Sequence, residues 1–226
     1  MPIRRLIITG FIFFSAGQAT AQSKKNDVYI RTNLLSLIEP LASGPTFGLE
    51  YFLVDHFSLG SDVSIILYNF SKSQYEHLGN PHGYKIKPEL RYYLYKKRSK
   101  KNLRMFLSLE GLFLSTTTRN YNSLPILDNA GNVVYYYLGG YDEVKKVKGI
   151  VAKCGLQIPR FIFEKMIFEV YAGVGLRDKR FSYKNAPAGT NVPDNRAVFR
   201  REYLDLYVDG TYPSISAGFK LVYKIK

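Results

Sequence analysis

YKIKPELRYYLY, residues 84–95, changes character at every step. Tyr84, Ile86, Pro88, Leu90, Tyr92 and Leu94 form one set, almost wholly apolar; Lys85, Lys87, Glu89 and Arg91 alternate with them. A period of two sends the sets to opposite faces of a β-strand. The fold turns on which face points inward. In a water-soluble barrel the apolar face is the core, and in a membrane barrel the charged face is.

The same alternation recurs along the chain, while helical periodicity is nearly absent. Tyr29–Ile38 is extended and apolar, with no clear assignment of faces. Thr46–Leu53, Phe57–Tyr68, Leu103–Ser115, Lys148–Ile158, Met166–Arg177 and Pro213–Ile225 alternate apolar with polar or small residues. Phe106, Leu112 and Leu114 blur the pattern in Leu103–Ser115. Together with residues 84–95 these make eight strands, enough for a small closed barrel. Connections alternate in length. Val54–His56, Lys96–Asn102 and Pro159–Lys165 are short; Glu39–Pro45, Asn69–Gly83, Thr116–Val147 and Asp178–Thr211 lie at the other rim, and all but the first are long. Short turns on one rim and long loops on the other is the outer-membrane pattern. The expected fold is all-β: an eight-stranded antiparallel up-and-down transmembrane β-barrel with a polar, charge-paired interior.

Two features place the charged face inside. The polar face is small, with Ser58, Gly60, Ser64, Gly173, Gly175, Ser214, Ser216 and Gly218, as a crowded barrel interior requires and a solvated surface does not. The charges also stand level. Counted from the short-turn rim, Glu50, Asp62, Arg91, Glu110, Lys153, Glu169 and Lys220 rise to about 10–18 Å, at ~3.4 Å per residue and a tilt near ~40°. Lys85, Lys87, Glu89 and Arg177 complete the expected interior network, in which the residue 84–95 charges pair with Glu50, Asp62 and Glu110. Acids and bases at one height offset each other's burial cost. The apolar face then meets lipid, with Phe57, Tyr68, Tyr84, Tyr212 and Tyr223 placed for interfacial girdles.

The N-terminus reads as an export signal. Arg4 and Arg5 precede an apolar core, Leu6–Phe14, and Ala19-Thr20-Ala21 has the small-x-small cleavage pattern. Residues 1–21 are expected to be cleaved, leaving 22–226 as a single barrel domain. The net charge of +14 invites a nucleic-acid reading, but an exported protein does not meet the nucleoid. Cys154 is the sole cysteine, so no intramolecular disulfide forms.

Three local features carry a resemblance. They are Thr32-Asn33-Leu34-Leu35, the run Pro45-Thr46-Phe47-Gly48-Leu49-Glu50-Tyr51 followed by Phe57-Ser58-Leu59-Gly60, and the last strand with Ser216, Gly218, Leu221 and Tyr223. The first two resemble the N-terminal hallmark of a family of small outer-membrane barrels of unknown function from Bacteroidota, OmpA-like in type. The third resembles the signal read by the barrel-assembly machinery, although Lys224-Ile225-Lys226 follow where an aromatic residue commonly stands. The resemblance implies the outer membrane of a Gram-negative bacterium, contact with outer-membrane lipid and lipopolysaccharide, the assembly machinery as a partner during insertion, and other envelope proteins as further candidates.

Catalytic residues are not evident. His56-Phe57-Ser58 falls at a short turn, on the wrong rim for the lipid A deacylase chemistry of some small barrels. His77 and His82, with Ser71, Ser73 and Glu76, fall in a long loop where polar residues are ordinary. No set of residues has metal-ligand spacing, and no cofactor is implied. The expected function is therefore non-enzymatic, either envelope structure or binding through the outer loops, without a wide pore. Tyr121, Tyr135, Tyr136, Tyr137 and Tyr141 are the candidate loop-binding residues, since Tyr offers contact area at low entropic cost; the competing reading is that Val133–Leu138 merely extends a hairpin beyond the membrane. A lipid A-modifying enzyme and a secreted lipocalin-like ligand-binding barrel are the alternatives.

Overall fold

The computed structural model describes residues 26–37, 43–68, 80–95, 103–128, 130, 132–159, 165–186 and 209–225. The proposed signal segment, residues 1–21, lies outside them. The described residues form eight strands: β1 (Val28–Thr32), β2 (Thr46–Val54), β3 (Phe57–Ile66), β4 (His82–Tyr95), β5 (Arg104–Leu127), β6 (Val133–Pro159), β7 (Met166–Lys184) and β8 (Gly210–Lys224). Each pairs antiparallel with the next, and β1 pairs with β8, so the sheet closes on itself. Closure leaves no unpaired edge around the ring.

The faces fall as the alternation requires. Along β2, Phe47, Leu49, Tyr51 and Leu53 are exposed while Thr46, Gly48, Glu50 and Phe52 are buried. The same inversion holds on β4, where Tyr84, Ile86, Leu90 and Leu94 are exposed and Lys85, Glu89 and Arg91 are buried. On these strands the large aliphatic side chains thus line the outside and the charges line the inside. Phe106 and Leu112, which blur the pattern of β5, point inward as core residues.

Inside the short-turn end sits an aromatic floor of Tyr29, Phe52, Tyr93, Phe106, Ile167, Tyr171 and Val222. Glycine makes room for it. Phe106 and Tyr171 both flank Gly155 in the register, and a Cβ on Gly155 would lie 2.3 Å from the Phe106 ring. A Cβ on Gly218 would lie 2.7 Å from Tyr171 Oη. Gly155 and Gly218 are therefore the seats of neighbouring rings.

Two expected elements differ. The first strand stops at Thr32, and Leu34–Leu37 form a 3-10 turn instead of continuing to Ile38. Asn33 causes the break: its side-chain oxygen accepts from the Leu35 N–H at 3.1 Å, and its carbonyl accepts from Ser36 Oγ at 2.6 Å. Much of the long loop Thr116–Val147 is strand. β5 runs to Leu127 and β6 starts at Val133, as the hairpin reading expects. β4 pairs with β5 only as far as His82–Thr117, and β7 with β6 only as far as Lys184–Asp142. Beyond those points the two strands continue alone as an arm, roughly 30 Å long at ~3.4 Å per residue.

Candidate functional site

Directly above the aromatic floor, every strand contributes a charged side chain to one buried belt. β1 brings Arg31, β2 Glu50, β3 Asp62, β4 Glu89 and Arg91, β5 Glu110, β6 Lys153, β7 Glu169 and β8 Lys220. All are almost fully buried.

Two guanidiniums organise the belt. Arg91 grips Glu169 in a fork, with Nη1 2.6 Å from Oε2 and Nη2 2.8 Å from Oε1. Its Nη2 also donates to Glu89 Oε2 at 2.8 Å, and Nη1 to Glu50 Oε2 at 3.3 Å. Its carbon end stacks 4.4 Å above the Phe106 ring, joining belt to floor. Arg31 Nη1 donates to Glu89 Oε2 at 2.9 Å, and its Nη2 lies 2.8 Å from Asp62 Oδ1, off the hydrogen-bonding line. Gly60 admits it, since a Cβ there would stand 2.7 Å from Arg31 Nη2.

The lysines fill the gaps. Lys220 Nζ donates to Asp62 Oδ2 at 2.6 Å and lies 3.6 Å from Glu89. Lys153 pairs with Glu110. Both ammonium groups approach the Tyr171 ring, at 4.5 Å for Lys153 and 5.2 Å for Lys220. Neutral groups satisfy remaining carboxylate oxygens. Ser58 and Tyr93 donate to Glu50, Ser108 to Glu89 and Gln157 to Glu169. A buried ion is tolerated when it is paired and hydrogen-bonded; every ion of the belt is paired, while Arg31 Nε and Nη2, Arg91 Nε and Asp62 Oδ1 are left without a hydrogen bond.

The expected interior residues all face this space, but not all join the belt. On β4, Lys87 is half-buried one level above Glu89 and Lys85 is buried a level above that, while Arg177 is half-buried above the ring of pairs on β7. The pairing also differs from neighbour-to-neighbour expectation. Arg91 takes its closest carboxylate from β7, on the far side of the ring, because an eight-stranded interior is narrow enough for side chains to meet across it. Arg31 was not among the expected residues, because the faces of its strand are unreadable from so short a run. The Arg31–Ile30–Tyr29 alternation is there, but three residues are too few to read a period. Tyr93, Gln157 and Tyr171 were missed as well; each sits at the correct parity for an inward residue.

Asp62, Glu89 and Glu110 bring one oxygen each within 4.8 Å of one another. Those carboxylates are already matched by Arg31, Arg91, Lys220 and Lys153, so the set is charge-compensated rather than an open cation cage. What the belt can do chemically is hold strands together and fill the bore.

The histidines do not converge with a nucleophile and an acid among the described residues. His56 lies at the short β2–β3 turn, its Nδ1 3.3 Å from the Tyr93 carbonyl, and His82 is exposed at the start of β4. Ser71, Ser73, Glu76 and His77 lie outside the described residues. The candidate loop tyrosines divide. Tyr121, Tyr135 and Tyr136 are exposed on the arm, and Tyr137 is half-buried there. Tyr141 is corrected: it is buried at the base of the arm, 5.9 Å from the Tyr183 ring in an edge contact, because its parity on β6 is inward. None of these tyrosines lies in a loop; all are on strands.

The profile of a family described as "Protein of unknown function (DUF3575)" matches residues 8–185. The chain belongs to that family. The DUF3575 match runs from before β1 to just past the end of β7, so it carries all of the belt except Lys220. β8, with Ser216, Gly218, Leu221 and Tyr223, lies beyond it. On β8, Ser216 and Gly218 face inward against Gly173 and Tyr171, and Leu221 and Tyr223 face outward. No curated protein and no solved structure matches the chain.

Proposed function

We propose that this chain is an integral outer-membrane β-barrel of a Gram-negative bacterium, a non-enzymatic scaffold with a filled bore that presents the β5–β6 arm outside the cell. The observation that carries the reading is the inversion of the faces. A water-soluble barrel has no reason to bury nine charged side chains and expose Phe47, Leu49, Leu59, Ile65, Leu109 and Val174. A barrel solvated by lipid does. The apolar outer face of β5 from Met105 to Phe113 rises roughly 21 Å at ~3.4 Å per residue and ~40° tilt, close to the height of a transmembrane band. Tyr and Phe residues at its borders suit the interfaces.

The belt supports a closed bore, because its side chains meet across the axis instead of standing back from it. The exposed Tyr121, Tyr135 and Tyr136 give the arm a surface for an envelope or extracellular partner. Ser216, Gly218, Leu221 and Tyr223 on β8 are the residues for recognition by the assembly machinery.

The test is expression of the full chain followed by membrane fractionation and gel migration with and without boiling. Outer-membrane recovery and a heat-dependent shift in migration are expected. A monodisperse protein in buffer without detergent would overturn the reading. Large, stable conductance steps in planar bilayers would overturn the closed bore alone.

A further inference from the structure

Among the described strand residues, outward-facing charge is confined to one sector. On β1, β2, β3, β4 and β8, the strand Lys, Arg, Asp and Glu residues all fall at inward parity. On β5, β6 and β7, Arg119, Asp142, Lys146, Lys148, Asp178, Arg180 and Lys184 fall at outward parity. They begin immediately above the row Gly111–Ile150–Leu176, level with Phe113, where the apolar run of β5 that starts at Met105 ends.

The lowest of them form a cluster. Lys146 is the direct register partner of Arg180, and Lys148 that of Asp178, while their partners on β5 are Ser115 and Phe113. Lys146, Lys148 and Arg180 are exposed. Like charges directly opposite each other on a sheet repel. Asp178 offsets only part of this, since it receives Arg180 Nε at 3.2 Å. Asp142, higher up, is engaged by Asn185 at 2.7 Å. A surplus of positive charge is left within one strand spacing of the apolar band.

We propose that Lys146, Lys148 and Arg180 bind the phosphate group of a phosphorylated glycolipid headgroup in the leaflet at the long-loop rim. The proposal rests on the outer-membrane reading and adds a site to it. A phosphate seated between Lys146 and Arg180 relieves their repulsion, and the Arg fork suits phosphate geometry. The position fixes the source as lipid rather than free phosphate. Directly below the cluster stand Ile150 and Leu176 beside Gly111, and beneath that row the outer surface is shallow at Ala152, Cys154 and Ala172, flanked by Leu109 and Val174, so acyl chains continue downward from a headgroup held above.

The test uses the full-length protein purified in detergent and probed by native mass spectrometry with diphosphorylated lipid A, dephosphorylated lipid A and inorganic phosphate. The wild type is expected to retain the diphosphorylated lipid and not the dephosphorylated one. The combined variant Lys146→Ser, Lys148→Ser, Arg180→Ser is expected to lose affinity on the order of 100-fold. A control that removes the same charge from the segment joining β4 to β5 in the sequence, Lys96→Ser, Lys97→Ser, Arg98→Ser, is expected to retain the lipid. Heat-dependent gel migration of each variant reports that the barrel is intact. Equal retention by both variants, equal retention of both lipids, or displacement by millimolar inorganic phosphate would each overturn the site. A protein soluble without detergent would instead overturn the membrane reading on which it rests.

Discussion

Arg31 and Glu89, on strands that are not neighbours in the sheet, meet across the barrel interior at 2.9 Å. Arg31 also reaches Asp62 at 2.8 Å, so one side chain of β1 ties β3 and β4 to the seam of the barrel. Replacing it with Met leaves two carboxylates buried with fewer cations, although Lys220 and Arg91 still serve them. Breaking a buried pair from one side costs about 3–5 kcal/mol. Arg31→Met is expected to lower the unfolding free energy, measured by urea titration in lipid vesicles, by about 3 kcal/mol. The neighbouring Ile30→Met is expected to cost less than about 1.5 kcal/mol. Equal losses in the two variants would remove Arg31 from the network.

Glu110 and Lys153 pair with each other more exclusively than the rest of the belt. Glu110→Leu alone strands an ammonium, and Lys153→Met alone strands a carboxylate, each at a cost of about 3–5 kcal/mol. The double variant is expected to recover much of that loss, giving a coupling of about 2 kcal/mol or more in a double-mutant cycle. Additive losses would mean that the two ions are stabilised separately.

The outer face offers a depth-dependent comparison. Leu109 sits in the apolar band, and Leu138 stands 82 % exposed on the arm. Leu109→Arg is expected to cost about 2–4 kcal/mol in vesicles, as for a cation near the bilayer midplane. Leu138→Arg is expected to stay within about 0.5 kcal/mol. A tolerated arginine at position 109 would contradict lipid contact there.

Gly155 has a different vulnerability. A Cβ at this position meets the Phe106 ring at 2.3 Å and the Val170 carbonyl at 2.8 Å. The ring cannot retreat freely, because the Arg91 guanidinium lies 4.4 Å from its centroid. Gly155→Ala is therefore expected to destabilise the barrel by about 1–3 kcal/mol through overpacking. Thermal transition by circular dichroism reports it, and an unchanged transition would show that the floor is loosely packed.

The arm is expected to be dispensable for folding. Beyond Asn120 and Tyr141, its two strands pair only with each other, and a lone two-stranded ribbon adds little stability. Replacing residues 121–140 with Asn-Gly joins that register pair by a two-residue turn. Heat-dependent migration should persist, with a stability change within about 1 kcal/mol. Loss of the barrel on this replacement would make the arm a folding element.

Parity was legible in the sequence because it is local. A single residue and its neighbours two positions away decide whether Glu50 or Leu49 points inward, and the strand order follows from short turns. Distance across the ring is not local. Nothing in β4 alone says that Arg91 will choose Glu169 over Asp62 on the adjacent strand, since that depends on how far the strands are staggered when the sheet closes. Arg31 escaped notice for the opposite reason, a strand too short to display a period before Asn33 ends it. Tyr141 was misplaced because length alone marked residues 116–147 as loop, whereas ladder hydrogen bonds continue through most of them. The mixed character of Leu103–Ser115 proved informative, since its irregular apolar residues, Phe106 and Leu112, supply the packed interior.

The seam between β1 and β8 spans only Tyr29–Lys224 to Thr32–Leu221. Arg31 enters from one side of that seam and Lys220 from the other, and both serve Asp62 and Glu89. A sheet that has not yet closed therefore holds those two acids without their full clasp, with Arg91 the cation that Glu89 finds on its own strand. Neutralisation and closure become one event, and a half-shut barrel is penalised by its own unspent charge. The two end strands thus share the same two acids, and the ring is fully compensated only where they meet.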